Sequence, residues 1–439
     1  MMRTQISAAL YIAFVHYAYI SYINPTFEYA HYIYIQPEVA SLVLTYLLSW
    51  SVVLAYRDTC HPAQFIGSLI YTLCYVPIQL SLLFTIQREY IVLFPVQFAL
   101  AVSMALIFRA ARSGPLQAVD GSYRFARTDR LLAMLTISAL TLIVIFNREH
   151  MRLVSFEDVY DLRSDSTSGT TNPFLNYLAS WVSYCFLSYF FARGIIYRKW
   201  MHLILGLIGS LILYMTTGAK SSLLLLPMTV GVILLWQKGP GFLSRLQISL
   251  IVLILVLIFL LPDDGVSLWV KSIILVRIIG TSGWAASKYF EYFDAHLFTY
   301  YTHIGPINAI FGGYPYGDYS LGQLIGIEYS GSPEANFNAS FWASDGLAAM
   351  GLSGIYLVTI PLILILYLTN RLTLTYNNRF TVAWFVGFVV AMLNVPIATA
   401  MLSGGGFILF LLAWFASRKR RANPMSLSTQ LALNRHQSK

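Results

Sequence analysis

Charged side chains are scarce in this chain. Only 11% of its 439 residues are Asp, Glu, Lys or Arg, against roughly 25% in an ordinary soluble domain, so a mainly water-exposed fold is excluded. Cysteine is scarcer still: Cys60, Cys74 and Cys185 have neither paired spacing nor nearby histidines, which argues against a disulfide framework and a zinc site. The phosphate-loop pattern G-x-x-x-x-G-K-[ST] is missing, and His150, His296 and His303 show no metal-ligand spacing, so we read them as interfacial. No internal repeat is visible. Strict apolar/polar alternation is also absent, which removes a membrane barrel and leaves helices as the only way to cross lipid.

What the chain has instead is apolar length. Hydrophobic residues make up 57%, and runs of about 18 residues or more, long enough to cross a bilayer, recur with few charges inside them. We place twelve membrane-spanning helices at about 4–22, 37–56, 64–86, 90–110, 131–147, 174–193, 200–216, 221–236, 246–262, 342–368, 380–397 and 403–417. The first is long and has no small-residue cleavage site, so it reads as a retained helix and not as a removed signal. The expected fold is all-α and integral to the membrane, one polytopic domain over residues 1–421 with external loops at about 148–173 and 262–340. A polar, disordered cytoplasmic tail is expected at 422–439.

Basic residues set the orientation, because they accumulate in cytoplasmic loops. With the first helix starting in the cytoplasm, 20 of the 28 Lys and Arg fall inside with 3 acids, and 8 fall outside with 16 acids, giving +17 and −8 of the net +9. Both termini are therefore expected in the cytoplasm of an inner-membrane protein. The basic balance signals topology and anionic lipid, not nucleic acid. Within the larger external loop, the apolar run 266–279 and the aromatic run 284–301 suggest short helices lying against the membrane surface.

Eight basic residues stand outside, where this rule disfavours them: Arg88, Arg148, Arg152, Arg163, Lys220, Lys271, Arg277 and Lys288. An anionic substrate at the outer face would account for them, since arginine grips a diphosphate with a planar fork and lysine supplies a compact charge; pairing with outer acids is the structural alternative. Lys220 sits in Thr216-Thr217-Gly218-Ala219-Lys220-Ser221-Ser222, a tight turn between apolar helices, where a charge is costly unless used or paired. Arg277, Lys288, Tyr289, Glu291, Tyr292 and Asp294 combine cations, carboxylates and aromatic faces suited to sugar rings. At the end of the loop stand Glu328, Glu334, Asn336, Asn338, Ser340 and Asp345. Helix capping is a sufficient reason for Asn338, Ser340 and Asp345, but not for Glu334.

Glu334-Ala335-Asn336-Phe337-Asn338, Phe341-Trp342-Ala343-Ser344-Asp345-Gly346, Gly351 and Gly354, together with Arg277, Gly280, Tyr289 and Phe293, make the chain resemble an O-antigen or oligosaccharide repeat-unit polymerase of the Wzy type. The likeness covers the whole chain as topology and these stretches as motif; Arg163 and Gly169 stand closer than the Arg-to-Gly spacing of some members. The resemblance implies a membrane glycosyltransferase with GT-C-like architecture, related to O-antigen ligases. Such an enzyme transfers a growing glycan from one undecaprenyl diphosphate to the next lipid-linked repeat at the periplasmic face, without cofactor, ATP or metal. Implied partners are undecaprenyl-diphosphate-linked oligosaccharide, membrane lipid and a chain-length regulator protein.

On that reading Arg277 and Lys220 stabilise the leaving diphosphate, with Arg163 and Lys288 behind them. Glu334 is the first candidate base and Asp345 the second, and Tyr289, Asn336 and Asn338 bind substrate. An O-antigen ligase, a transporter or flippase, and a structural scaffold are the competing readings.

The charge split makes a direct prediction. Cysteines introduced singly between 262 and 340 are labelled by a membrane-impermeant maleimide in intact spheroplasts; protection of these positions would overturn the orientation.

Overall fold

A computed structural model describes residues 2–114, 126–149, 151–152, 173–218, 220–236, 241–333, 335–338, 341–374 and 376–421. Arg163, Gly169, Ala219, Glu334, Ser340 and the 422–439 tail lie outside the described residues. Within them the protein is all-helical, with no strand. Eight helices are long and apolar enough to cross a membrane: Met2–Ala30, Ala63–Thr85, Tyr90–Ala111, Thr128–Asn147, Trp200–Thr217, Phe242–Phe259, Gly265–Ala295 and Trp342–Leu372. Shorter apolar helices are Val39–Ala55, Lys220–Leu235, Asn378–Asn394 and Gly406–Phe415. This is a multi-pass membrane protein, and each of the twelve segments expected from hydropathy falls on a helix.

Polar side chains tie these apolar helices together, as bilayer-embedded bundles require. Gln79 and Gln97 each donate a side-chain hydrogen bond to the other's backbone carbonyl, at 2.8 and 2.9 Å. At the basic end of the bundle, Asn370 accepts from the Ala63 N–H and donates to the carbonyls of Ala111 and Ser113, so one amide joins three helices. At the same end Arg193 forks onto Asp129 with contacts of 2.9 and 2.6 Å, and Tyr189 donates to that carboxylate at 2.7 Å. Bidentate geometry with a third donor is what a half-buried ion pair needs to offset its desolvation.

Two of the long helices do not run straight across. Gly265–Ala295 begins beside the end of the first helix, where Lys271 lies over the Tyr22 ring at 5.4 Å. It ends where Asp294 meets Arg88, just past Ala63–Thr85, at 2.6 Å. The Tyr11 hydroxyl meets Thr72 and the His16 ring stacks on Phe84, so the first helix and Ala63–Thr85 run parallel. Both ends of Gly265–Ala295 are therefore on one side of the bundle.

Its second half is enclosed by protein: every residue from Ser282 to Tyr289 is buried, and Gly283 packs on Pro77 and Ser81 with no room for a Cβ. For the aromatic run 284–301 this corrects the expectation of a short helix lying on the membrane surface. Aromatic content marks burial and interface alike, and small residues at 280, 283, 285 and 286 let the helix sink into a groove.

The other exception is Trp342–Leu372, which is broken by Met350 (φ −154°, ψ 26°) and Gly351 (φ 57°, ψ −130°). A Cβ on Gly354 would strike the Gly346 carbonyl, and one on Gly346 would sit 3.3 Å from the backbone of Ile355. Residues eight apart in a continuous helix are separated by about 12 Å, so the chain reverses here. Residues 342–349 form a short arm folded against 352–372. Gly351 makes the turn because its left-handed φ suits only glycine.

A side chain at Gly354 meets backbone that has nowhere to go. Gly354→Ala should destabilise the detergent-solubilised protein by the roughly 1–3 kcal/mol typical of overpacking, read as a lower thermal midpoint. Gly231→Ala, with nothing within 4 Å of its Cβ position, should leave it unchanged or raise it. Equal behaviour of the two variants would contradict the reversal.

Candidate functional site

The reversed arm 342–349 carries Asp345 into the protein, where it is 2% exposed. Its Oδ2 accepts the backbone N–H of Ile397 at 2.6 Å. That N–H opens the short helix Ile397–Met401, directly after Asn378–Asn394 ends and Pro396 breaks the chain. Asp345 does cap a helix, but a different one from the helix that follows it in sequence, as its position had suggested. A charge-assisted bond to an otherwise unsatisfied N–H is among the stronger ones a buried break can be given.

The other carboxylate oxygen faces His303, whose Nε2 lies 3.6 Å from Oδ1, both side chains being buried. That distance is a charge contact and not a hydrogen bond. His303 Nδ1 lies 2.8 Å from the Thr299 hydroxyl. The same hydroxyl donates to the Ala348 carbonyl at 3.2 Å, so Thr299 links the His303 ring to the end of the arm. The histidine that the sequence placed at the membrane interface is thus buried against Asp345; without metal spacing around it, nothing in the sequence signalled this.

The turn that presents His303 is strained. Tyr300 (φ 46°) and Tyr301 (φ 65°) both adopt left-handed backbone, a conformation costing roughly 1–2 kcal/mol per residue outside glycine. What holds it is the end of the arm: the N–H groups of Thr299 and Tyr300 bond the carbonyls of Ala348 and Ala349, each at 2.9 Å. Burial first and the Asp345 charge second push the Tyr301 hydroxyl up to about 12, so it stays a neutral hydroxyl at physiological pH. Its donor points at the Gly354 carbonyl, 3.4 Å away.

Arg277 comes to the same break from the other side. It lies on a wide turn, Val276–Gly280, in the middle of Gly265–Ala295. The side chain is exposed, and Nη1 donates to the Asn394 Oδ1 at 2.9 Å. Asn394 in turn donates to the Val390 carbonyl at 2.7 Å. Asn394 and Ile397 are the two ends of one four-residue break, so Arg277 and Asp345, far apart in sequence, act on a single segment. Asn394 did not stand out in the sequence; the signal was Asn-Val-Pro interrupting an apolar run.

The remaining candidates are placed as follows. Lys220 begins a helix two residues past Gly218, whose left-handed φ of 62° ends the preceding one; Ala219 lies outside the described residues. Its helix packs on Asn378–Asn394, and the neighbouring Ser221 lies 3.4 Å from the Tyr184 hydroxyl. Lys288 is buried, bonded to Glu291 at 2.6 Å and lying 4.9 Å over the Tyr329 ring, which is the pairing alternative. Tyr289 is fully buried and donates to the Phe337 carbonyl at 3.1 Å.

Asn336 and Asn338 lie over Gly322, where a Cβ would collide with both amide oxygens. Gly322 sits in helix Leu321–Ser330, which starts with a full capping box from Ser320 and Gln323. Of the acids and bases proposed for the chemistry, the structure joins Arg277 and Asp345 through the 394–397 break. Lys288 is drawn into an ion pair, and Glu334 and Arg163 are outside the described residues.

No protein-family model, no curated protein and no solved structure matches the chain.

If Asp345 holds the break closed, the acceptor matters more than the charge. Asp345→Ala leaves a buried N–H unsatisfied, at a cost of about 1–3 kcal/mol, and should lower both thermal midpoint and accumulation in membranes. Asp345→Asn keeps an acceptor and should lie between Ala and the parent. An Ala variant as stable as the parent would remove the capping role.

Proposed function

We propose that this protein is an inner-membrane glycosyltransferase of the repeat-unit polymerase type, with both termini in the cytoplasm and its chemistry at the periplasmic face. Its donor is an undecaprenyl-diphosphate-linked oligosaccharide and its acceptor the terminal sugar of another lipid-linked repeat. The observation that carries the reading is Arg277: an exposed guanidinium aimed by Asn394, at the rim of a helix break closed by Asp345. The sequence resemblance to the Wzy type, in which an arginine-led segment and the Asp345-Gly346 stretch recur, supports the same assignment.

The chemistry follows from the leaving group. When the anomeric carbon is attacked by a sugar hydroxyl, the C–O bond to the diphosphate breaks and negative charge gathers on the departing oxygens. A planar guanidinium fork suits that charge, and preorganised donors at developing charge are usually the largest catalytic term. One of Arg277's five N–H donors is engaged by Asn394, which fixes the direction of the others. The proton lost by the attacking hydroxyl goes to a base, for which we assign Glu334. Asp345, bonded to Ile397 and 2% exposed, is better suited to positioning than to direct proton transfer.

A transporter of lipid-linked saccharide is the second reading, and one feature favours it: interrupted helices at 350–351 and at 395–396 are a device by which transporters build sites within the membrane. A ligase shares the donor and differs in the acceptor.

The lipopolysaccharide of a deletion strain separates these. A core capped by one repeat means polymerase, and loss of all O-antigen means ligase or flippase. In the complemented strain, Arg277→Ala and Lys220→Ala should shorten or abolish the ladder at near-normal protein levels. Arg277→Lys should rescue it only in part, because the charge returns without the fork. Glu334→Gln should slow polymerisation by about 10²- to 10⁴-fold, the usual effect of removing a general base. A full ladder from Arg277→Ala would take this arginine out of the site.

A further inference from the structure

The outer segment 297–317 has a composition that water does not favour. From Leu297 to Gly317 it contains no Lys, Arg, Asp or Glu. Its one histidine, His303, is buried against Asp345. The apolar side chains face outward: Leu297 is 72% exposed, Tyr300 64%, Ile310 75% and Phe311 79%. Ile310 and Phe311 end a short helix, Gly305–Phe311, none of whose residues is buried.

The height of this segment relative to the bilayer can be read from its contacts. The Tyr300 N–H bonds the Ala349 carbonyl, and the Tyr301 hydroxyl meets the Gly354 carbonyl, so the turn is tied to the tip of the reversed hairpin. From Gly354 the helix runs to Asn370, which bonds the Ala111 and Ser113 carbonyls beside Arg109 and Arg112 at the basic end of the bundle. Those sixteen residues span about 24 Å, and the hydrocarbon layer is about 30 Å thick. Tyr300 and Tyr301 therefore stand at the opposite edge of the hydrocarbon, where aromatic side chains gather. The same helix presents Leu352, Tyr356, Ile360 and Leu364 on one exposed side, a stripe at four-residue spacing that faces lipid. Residues 298–300 meet the tip from which that stripe starts, Phe298 at Gly351 and the Thr299 and Tyr300 N–H groups at Ala348 and Ala349.

We propose that the segment around Gly305–Phe311 is an interfacial anchor whose exposed apolar side chains, led by Ile310 and Phe311, are immersed in the outer leaflet of the bilayer. The junction with the tip of the lipid-facing stripe and the absence of charge select phospholipid as the occupant over a second copy of the chain or a soluble protein. Immersion gives the strained Tyr300–Tyr301 turn a second point of attachment besides the Ala348 and Ala349 carbonyls. The inference concerns membrane depth alone and stands apart from the enzymatic reading.

The test is spin-label accessibility of the full chain in vesicles of phosphatidylethanolamine and phosphatidylglycerol. In a Cys60→Ser background, which removes the exposed native thiol, a nitroxide is placed at Phe311→Cys and, as a water-facing control, at the exposed Asp318→Cys. Dissolved oxygen should relax the Phe311 label severalfold more than a water-soluble nickel chelate does, with the order reversed at Asp318. Nickel dominance at both positions would overturn the anchor. So would dipolar broadening at Phe311 that disappears on dilution with unlabelled protein, since that would put a second copy on the patch. If Phe311→Cys fails to accumulate, Leu297→Cys carries the same expectation and the same contrary results.

Discussion

Inside a bilayer no water is present to bond a helix end, so a break in a helix survives only where the protein bonds the loose backbone groups itself. Asp345 does this for the break after Asn394, accepting the Ile397 N–H at 2.6 Å. The carboxylate reaches it only because its own chain has reversed at Met350 and Gly351, and that reversal depends on Gly346 and Gly354 meeting backbone to backbone. The arm's exposed carbonyls are closed by Thr299 and Tyr300, which places His303 beside Asp345. Three segments distant in sequence, 299–303, 342–354 and 394–397, thus meet around one buried carboxylate.

This arrangement also accounts for where Arg277 stands. An arginine on a regular helix facing lipid would be expelled toward water; on the wide turn at Val276–Gly280 it is set out from the helix and held by Asn394 at the edge of the same break. The cation and the acid then share a support without forming an ion pair. Arg88, Lys271 and Lys288, three other cations expected on the outer side, instead meet Asp294, Asp263 and Glu291. Among these four, Arg277 is the one held by a neutral partner, the Asn394 amide, at an exposed position.

Much of the fold was legible because hydropathy records what lipid requires: each expected apolar segment became a helix. Direction is not recorded in hydropathy. The run 342–368 reads the same whether it crosses once or turns back, and only Gly351 with Gly354, noticed as motif residues, hinted at a turn. The aromatics of 284–301 suit an interface as well as a core, and the small residues at 280 and 283 that let the helix sink are visible but ambiguous. At the site, Arg277 and Asp345 stand out in the sequence, but the segment they share does not, since Asn394 is an ordinary amide in an apolar run. The Lys288–Glu291 pair followed from i,i+3 spacing on a helix and could have been read in advance. His303 could not, because its partner is 42 positions away.

The activity we propose is that this membrane-embedded chain by itself joins lipid-linked repeats using the energy of the diphosphate bond. Purified protein in proteoliposomes, supplied with undecaprenyl-diphosphate-linked repeat units and with neither ATP nor metal, tests it most directly. A ladder of lipid-linked polymers with release of undecaprenyl diphosphate is the predicted result. Recovery of only the single-repeat lipid, from protein that is folded and correctly oriented, would contradict the claim.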